Sequence, residues 1–194
     1  MLEKYRKLVE QALERLIGDR VPLEPNAITL LALLISIFAL LTAYYSVDPM
    51  ITAGVITLSG VFDSLDGYVA RKKNIVTKFG AFLDSTTDRV CDAIYTLALM
   101  VSGLMSPEMT LALLTAEFLV SYTRARAEGL GFELRGKGLM ERGERVVSKV
   151  IALTVAHFSK VAGGVVCLII LMLTTLTVLQ RIFLTKQMIE KKDF

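Results

Sequence analysis

The chain has 194 residues, 54% of them hydrophobic, and a formal net charge of +3. Its length fits a single domain, and its basic residues do not gather into the patch that nucleic-acid binding requires. Their spacing is more telling: no Lys or Arg falls between Arg20 and Arg71 or between Arg89 and Arg124, and only Lys160 falls between Lys149 and Arg181.

A helix needs about 20 apolar residues to cross a hydrocarbon core, and these gaps hold one or two each. A soluble helical bundle would interleave charged faces with apolar ones, so the spacing argues for an all-α membrane protein. Residues 2–18 place Leu2, Tyr5, Val9, Leu13 and Leu16 on one side, with Lys4, Lys7, Glu14 and Arg15 mostly on the other. That pattern predicts an amphipathic helix on the membrane surface, the alternative being a helix packed on a soluble partner. Gly18, Pro22 and Pro25 end it. We read residues 1–20 as this juxtamembrane helix and 21–194 as a domain of six transmembrane helices.

The first span is expected over Asn26–Tyr45, opened by Pro25, and the second over Met50–Lys72. The third covers Phe79–Leu104, the fourth begins at Ser106-Pro107 and runs to Arg126, and the fifth covers Glu144–Phe158. Gly163-Gly164 are read as the turn into a sixth span ending near Leu184. Basic residues favour the cytoplasmic loops. One side collects Arg71, Lys72, Lys73, Lys78, the cluster from Arg124 to Arg145, and Arg181, Lys186, Lys191 and Lys192; the other collects only Lys160. A multi-pass cell-membrane protein with both termini inside follows. No cleavable signal peptide is expected, because residues 1–20 are charged. Cys91 and Cys167 lack metal-ligand spacing and read as packing residues; His157 reads as a helix residue without a role.

Four carboxylates near the cytoplasmic surface break the apolar pattern. Asp63 and Asp66 share one face of the second span, Asp84 and Asp88 one face of the third. Ionisable groups at membrane depth are costly and usually functional. Four together need cations between them.

Written as a pattern, Asp63 to Asp88 is D-x2-D-G-x2-A-R-x8-G-x3-D-x3-D. This closely resembles the signature of the CDP-alcohol phosphotransferases, integral membrane enzymes of phospholipid synthesis. The resemblance implies that Asp63, Asp66, Asp84 and Asp88 bind two divalent cations and that Asp88 also deprotonates the acceptor hydroxyl, after which CMP leaves. Oxygen-only ligands suit Mg²⁺ or Mn²⁺ rather than zinc. Gly67 and Ala70 are small enough for a flat nucleotide to approach, and Gly80 does the same from the opposing helix, or else permits close helix packing. Arg71 offers a fork suited to phosphate, or anchors the span as a positive-inside residue. The resemblance adds Asn26, Thr29 and Thr77 as CDP-lipid contacts alongside Asp63; Asn26 and Thr29 could instead cap the first helix. Asp92 continues the series outside the signature and is left unassigned.

The segment Tyr122–Gly131, followed by Glu141–Arg145, resembles the inositol-phosphate-using branch. Arg124, Arg126, Arg135, Lys137, Arg142 and Arg145 place many cations beside the aspartates, which a phosphorylated acceptor needs and a neutral one does not. Arg124, Arg142, Arg145 and Arg181 lie at span ends on the same cytoplasmic level, and the resemblance to that branch implies that they are the acceptor-phosphate ligands; positive-inside topology is the alternative for each. The donor is a CDP-lipid, CDP-archaeol or CDP-diacylglycerol, and a scarcity of amides (two Asn, three Gln) leans towards the former. The family also implies a homodimer among membrane lipids. Glycerol 3-phosphate or serine as acceptor remains an alternative, as does an intramembrane prenyltransferase, although G-x2-A-R has no counterpart in its chemistry. A cation transporter would place its site at the midplane.

Overall fold

The structure is a computed structural model describing residues 23–134 and 136–191. The expected surface helix over residues 1–20, Arg135 and Lys192 lie outside the described residues. Among those described, six helices run in order: α1 (Pro25–Tyr44), α2 (Pro49–Lys72), α3 (Lys78–Val101), α4 (Pro107–Gly129), α5 (Arg142–Phe158) and α6 (Lys160–Glu190). Two of them, α1 and α6, are long and apolar enough by length and composition to cross a membrane.

Local chemistry sets the helix starts. Pro25, Pro49 and Pro107 each stand in the first helical turn, where the missing N–H costs nothing. Asp48, Thr77, Ser106 and Ser159 accept a backbone N–H from the first turn that follows each of them, which satisfies one orphan donor per helix. Gly103, at φ +76°, stands just past the end of α3.

The turn into the last helix differs from the sequence reading. The chain reverses at Ser159 alone, and Gly163-Gly164 lie inside α6. Gly163 has a packing task there: a Cβ on it would come within 2.8 Å of Ala156 Cβ and 3.0 Å of Ala152 O. The glycine lets α6 press directly on α5, as small residues do between membrane helices. The same helix continues past Leu184 to Glu190.

α1 packs against α2 and α3, α6 packs against α4 and α5, and α2 meets α5 between these groups. The core between them is built from Ile56, Tyr95, Leu99, Leu113, Leu153 and Ile170, with alanines where backbones approach. Hydroxyls tie the helices laterally. Ser59 donates to Ala32 O at 2.7 Å and accepts from Tyr95 OH at 2.7 Å, linking α1, α2 and α3 in one line. Cys91 and Cys167 are buried and unbridged.

Candidate active site

The aspartates stand at the C-terminal end of α2 and the N-terminal half of α3, and the bundle divides them. Asp63, Asp84 and Asp88 converge, with one oxygen from each within 4.8 Å of the others. Asp66 faces α1 instead, where Thr29 donates its hydroxyl to Asp66 Oδ2. Thr29 is therefore no cap for α1; it holds a carboxylate that is only 4% exposed.

Arg142, at the first position of α5, closes the cluster. Its fork grips Asp63 through NH1 to Oδ2 at 2.5 Å and NH2 to Oδ1 at 3.2 Å. NH1 also lies 2.9 Å from Asp88 Oδ1, but off the hydrogen-bonding direction, so this buried oxygen has no hydrogen-bond partner. Asp88 Oδ2 accepts from Arg89 at 3.2 Å. Three carboxylates against the guanidiniums of Arg142 and Arg89 leave one negative charge over. With oxygen donors only and an unpaired buried lone pair on Asp88, the set fits a hard divalent cation.

A cavity of about 690 Å³ opens beside the cluster, between α1, α2 and α3. Asp66 and Asp84 form one wall, so cavity and cluster share a boundary. Seven of the eight residues expected to contact a CDP-lipid line it: Asn26, Thr29, Gly67, Ala70, Arg71, Thr77 and Gly80. The eighth, Asp63, faces Arg142. The small residues make the space. A Cβ on Gly80 would approach Thr77 Oγ1 to 3.0 Å and Asn26 Oδ1 to 3.2 Å, and one on Gly67 would meet Arg71 NH1 at 3.0 Å.

The four arginines expected to hold an acceptor phosphate do not stand together on one accessible surface. Arg124 is accessible, 39% exposed, and pairs with Glu128 at 2.8 Å. Arg142 sits in the carboxylate cluster. Arg145, an expected acceptor-phosphate ligand, is 2% exposed and committed to Asp92 at 2.8 Å and to the Met140 carbonyl at 3.1 Å. Arg181 is equally buried. It donates to Val120 O at 2.5 Å, Lys137 O at 2.9 Å and Glu141 Oε1 at 3.2 Å. Arg181 thus pins the α4–α5 loop onto α6, helped by Thr177, which accepts from Met140 N at 3.0 Å. Gly138 makes that contact possible: its φ is +132°, and a Cβ would strike Thr177 at 2.6 Å.

Behind the cluster lies a group that the sequence reading passed over. Asp92, Glu117, Arg145 and Lys149 are all at most 4% exposed. Lys149 reaches Glu117 at 2.8 Å and the Asp92 carbonyl at 3.0 Å, and Thr96 donates to Glu117 at 2.9 Å. Two signals announced it: Asp84, Asp88 and Asp92 repeat every four residues, and Arg145 and Lys149 do the same on α5.

The profile of the CDP-alcohol phosphatidyltransferases matches residues 23–191. An archaetidylinositol phosphate synthase of Pyrococcus horikoshii is 38% identical over 98% of this chain and 99% of its own length. A phosphatidylinositol phosphate synthase of Corynebacterium glutamicum is 39% identical over 54% of this chain and 51% of its own. Among solved structures, the phosphatidylinositol phosphate synthase of Mycobacterium tuberculosis with CDP-DAG bound aligns with a TM-score of 0.75 at 28% identity, covering 94% of both chains. The same enzyme with manganese and citrate aligns with a TM-score of 0.74 at 29% identity, covering 93% of this chain and 88% of the other. With its full signature, its all-helical fold and its profile match, the chain belongs to the membrane-integral CDP-alcohol phosphatidyltransferase family.

Proposed function

We propose that the protein transfers the lipid phosphate of a CDP-lipid, CDP-archaeol or CDP-diacylglycerol, to an inositol phosphate and releases CMP. The observation that carries this is the shared wall: a cavity large enough for a nucleotide meets a three-carboxylate cluster at Asp84. Likeness to an inositol-phosphate-lipid synthase along nearly the whole chain supports the acceptor.

Asn26, Thr29, Gly67, Ala70, Arg71, Thr77 and Gly80 receive the CDP moiety, and Asp63, Asp66, Asp84 and Asp88 hold two Mg²⁺ or Mn²⁺ ions. Divalent ions there neutralise the pyrophosphate and stabilise charge developing in an in-line displacement. Asp88 accepts the proton of the inositol hydroxyl, the freed oxygen attacks the lipid-bearing phosphorus, and the phosphorus–oxygen bond to CMP breaks. Arg124 and Arg142 bind the acceptor phosphate. Arg145 and Arg181 act from behind, setting α5 and the α4–α5 loop. The six helices span the membrane with the site and both termini in the cytoplasm, after an interfacial helix over residues 1–20, and the chain works as a homodimer.

Purified protein, a CDP-lipid, Mn²⁺ and a panel of acceptors test the reading. Inositol 1-phosphate should be consumed with release of CMP, and EDTA should abolish turnover. Arg124→Ala should raise the acceptor KM about tenfold, the loss of one charge-assisted hydrogen bond, and leave the donor KM unchanged. Free inositol used as well as its phosphate would sink the acceptor assignment.

A further inference from the structure

Two pairs of buried charged atoms face each other without forming a hydrogen bond. Arg142 Nε lies 3.6 Å from Asp92 Oδ1, and Arg145 Nε lies 3.5 Å from Glu117 Oε1. All four atoms are buried and lack a hydrogen-bond partner, although Glu117 Oε1 is also ion-paired with Lys149 at 2.8 Å, which leaves the Arg142–Asp92 pair the less satisfied of the two. Such atoms are costly and call for an explanation. A buried ion network is also a weak device for stability alone, since apolar replacements often serve as well.

The arrangement is a ladder. On α3, Asp92 follows Asp88 by one turn; on α5, Arg145 follows Arg142 by three residues and Lys149 follows Arg145 by four. Asp88 lies beside Arg142, Asp92 bonds Arg145, and Lys149 closes onto Glu117 of α4. Asp92 is fixed through Oδ2, which accepts from Arg145 at 2.8 Å, and through its carbonyl, which accepts from Lys149. Its other oxygen points at Arg142.

Arg142 takes both oxygens of Asp63 and stands against Asp88. A divalent cation bound by Asp63, Asp84 and Asp88 must take over some of those lone pairs and repels the guanidinium. The displaced arginine needs an anion close by. Asp92 Oδ1 is that anion, reached by a shift of under about one ångström if 3.6 Å is to become an ordinary charged hydrogen bond.

We propose that Asp92 is a positioning residue that receives Arg142 when a cation occupies the cluster, so that metal entry is not opposed by a trapped guanidinium. The inference rests on the reading that a divalent cation binds Asp63, Asp84 and Asp88. Arg142 is then held by Asp92 through Nε, with its terminal nitrogens still aimed at the mouth of the site.

Mn²⁺ binding to the full chain in detergent, followed by electron paramagnetic resonance, tests this without any turnover. Asp92→Asn should weaken Mn²⁺ binding about tenfold, the equivalent of one lost charge-assisted hydrogen bond. Adding Arg142→Gln to Asp92→Asn should restore near-wild-type affinity, because the competitor is gone. A purely structural role for Asp92 predicts no such rescue. If Asp92→Asn does not elute as a folded species, Glu117→Gln decides. That change leaves Arg145 drawing harder on Asp92, so Mn²⁺ should weaken roughly threefold, again relieved by Arg142→Gln. Unchanged affinity in the folded variants, or a loss that Arg142→Gln does not relieve, overturns the proposal. Failure of the wild type to bind Mn²⁺ overturns the metal reading itself, and the proposal with it.

Discussion

The row of aspartates on α3 faces two environments built on opposite plans. Towards α1 and α2 the bundle is hollow: glycines and an alanine withdraw from the carboxylates and leave about 690 Å³ open. Towards α4 and α5 it is filled, and Asp92, Glu117, Arg145 and Lys149 neutralise one another with almost no exposure. Polar groups in an apolar bundle must be either satisfied internally or kept available to a ligand. The hollow side is the side for binding; the filled side holds α5, and with it Arg142, in register. Substitutions on the first should change substrate constants, and those on the second should change stability and metal affinity.

The largest effect is expected where the two plans meet. Asp84 belongs to both the cavity wall and the cluster. Asp84→Asn should lower turnover by more than about 10²-fold, at least as much as the milder losses of a general base, and should abolish Mn²⁺ binding while the protein stays folded. Turnover near wild type would end the division into two sides, because the shared wall would then carry no chemistry.

The filled side is tested by breaking one pair. Lys149 is fully buried against Glu117 at 2.8 Å. Lys149→Ala leaves that carboxylate buried with only the more distant Arg145 as its cation, which costs up to about 3–5 kcal/mol. Replacing both, Glu117→Leu with Lys149→Met, should recover most of the loss. Thermal unfolding in detergent measures both. A single variant as stable as the double one would mean that the network is wet and loosely held.

How much of this division is legible in the sequence follows from the same contrast. Hollow space is written in residue type at fixed spacing, so Gly67, Ala70, Gly80 and the four aspartates announce themselves along one stretch. Filled space is written in pairings across helices: the four-residue repeats on α3 and α5 mark Asp92 and Arg145 singly, but nothing in either segment says that these two, 53 positions apart, meet. Arg145 and Arg181 mislead for a related reason. A basic residue near the end of a span reads as free to meet a phosphate, but here buried carbonyls and carboxylates engage both. Gly163 shows the opposite error: a glycine pair reads as a turn, while the structure uses it for contact between α5 and α6.

A smaller effect should come from closing the hollow without touching a charge. Gly80→Val places a branched side chain where even a Cβ meets Thr77 and Asn26 at 3.0–3.2 Å. We expect the donor KM to rise about tenfold, comparable to losing one good contact, with the acceptor KM unchanged. Equal changes in both constants would show that donor and acceptor share this wall.

The smallest effect is expected at the far end of the bundle, away from the cavity at Asp84 and from the Asp92–Lys149 network. Asp48 caps α2, accepting from Met50 N at 2.8 Å, and meets His157 at the end of α5 at 2.7 Å. The Met50 N–H first, and His157 second, hold its carboxyl below the ordinary carboxylate value. A carboxyl with a depressed folded-state pKa contributes stability that is present above its unfolded value of about 4 and is lost as the pH falls through the folded one. Asp48→Ala should therefore lower Tm slightly at neutral pH, and the gap from wild type should narrow as the pH is brought below about 4. Asp48 stands 15 residues before Asp63 on one continuous helix, roughly 22 Å away at 1.5 Å per residue. Donor KM, acceptor KM and Mn²⁺ affinity should all stay at their wild-type values. A changed Mn²⁺ affinity would mean that α2 and α5 transmit strain from one end to the other, and that the filled side is not the only element setting Arg142.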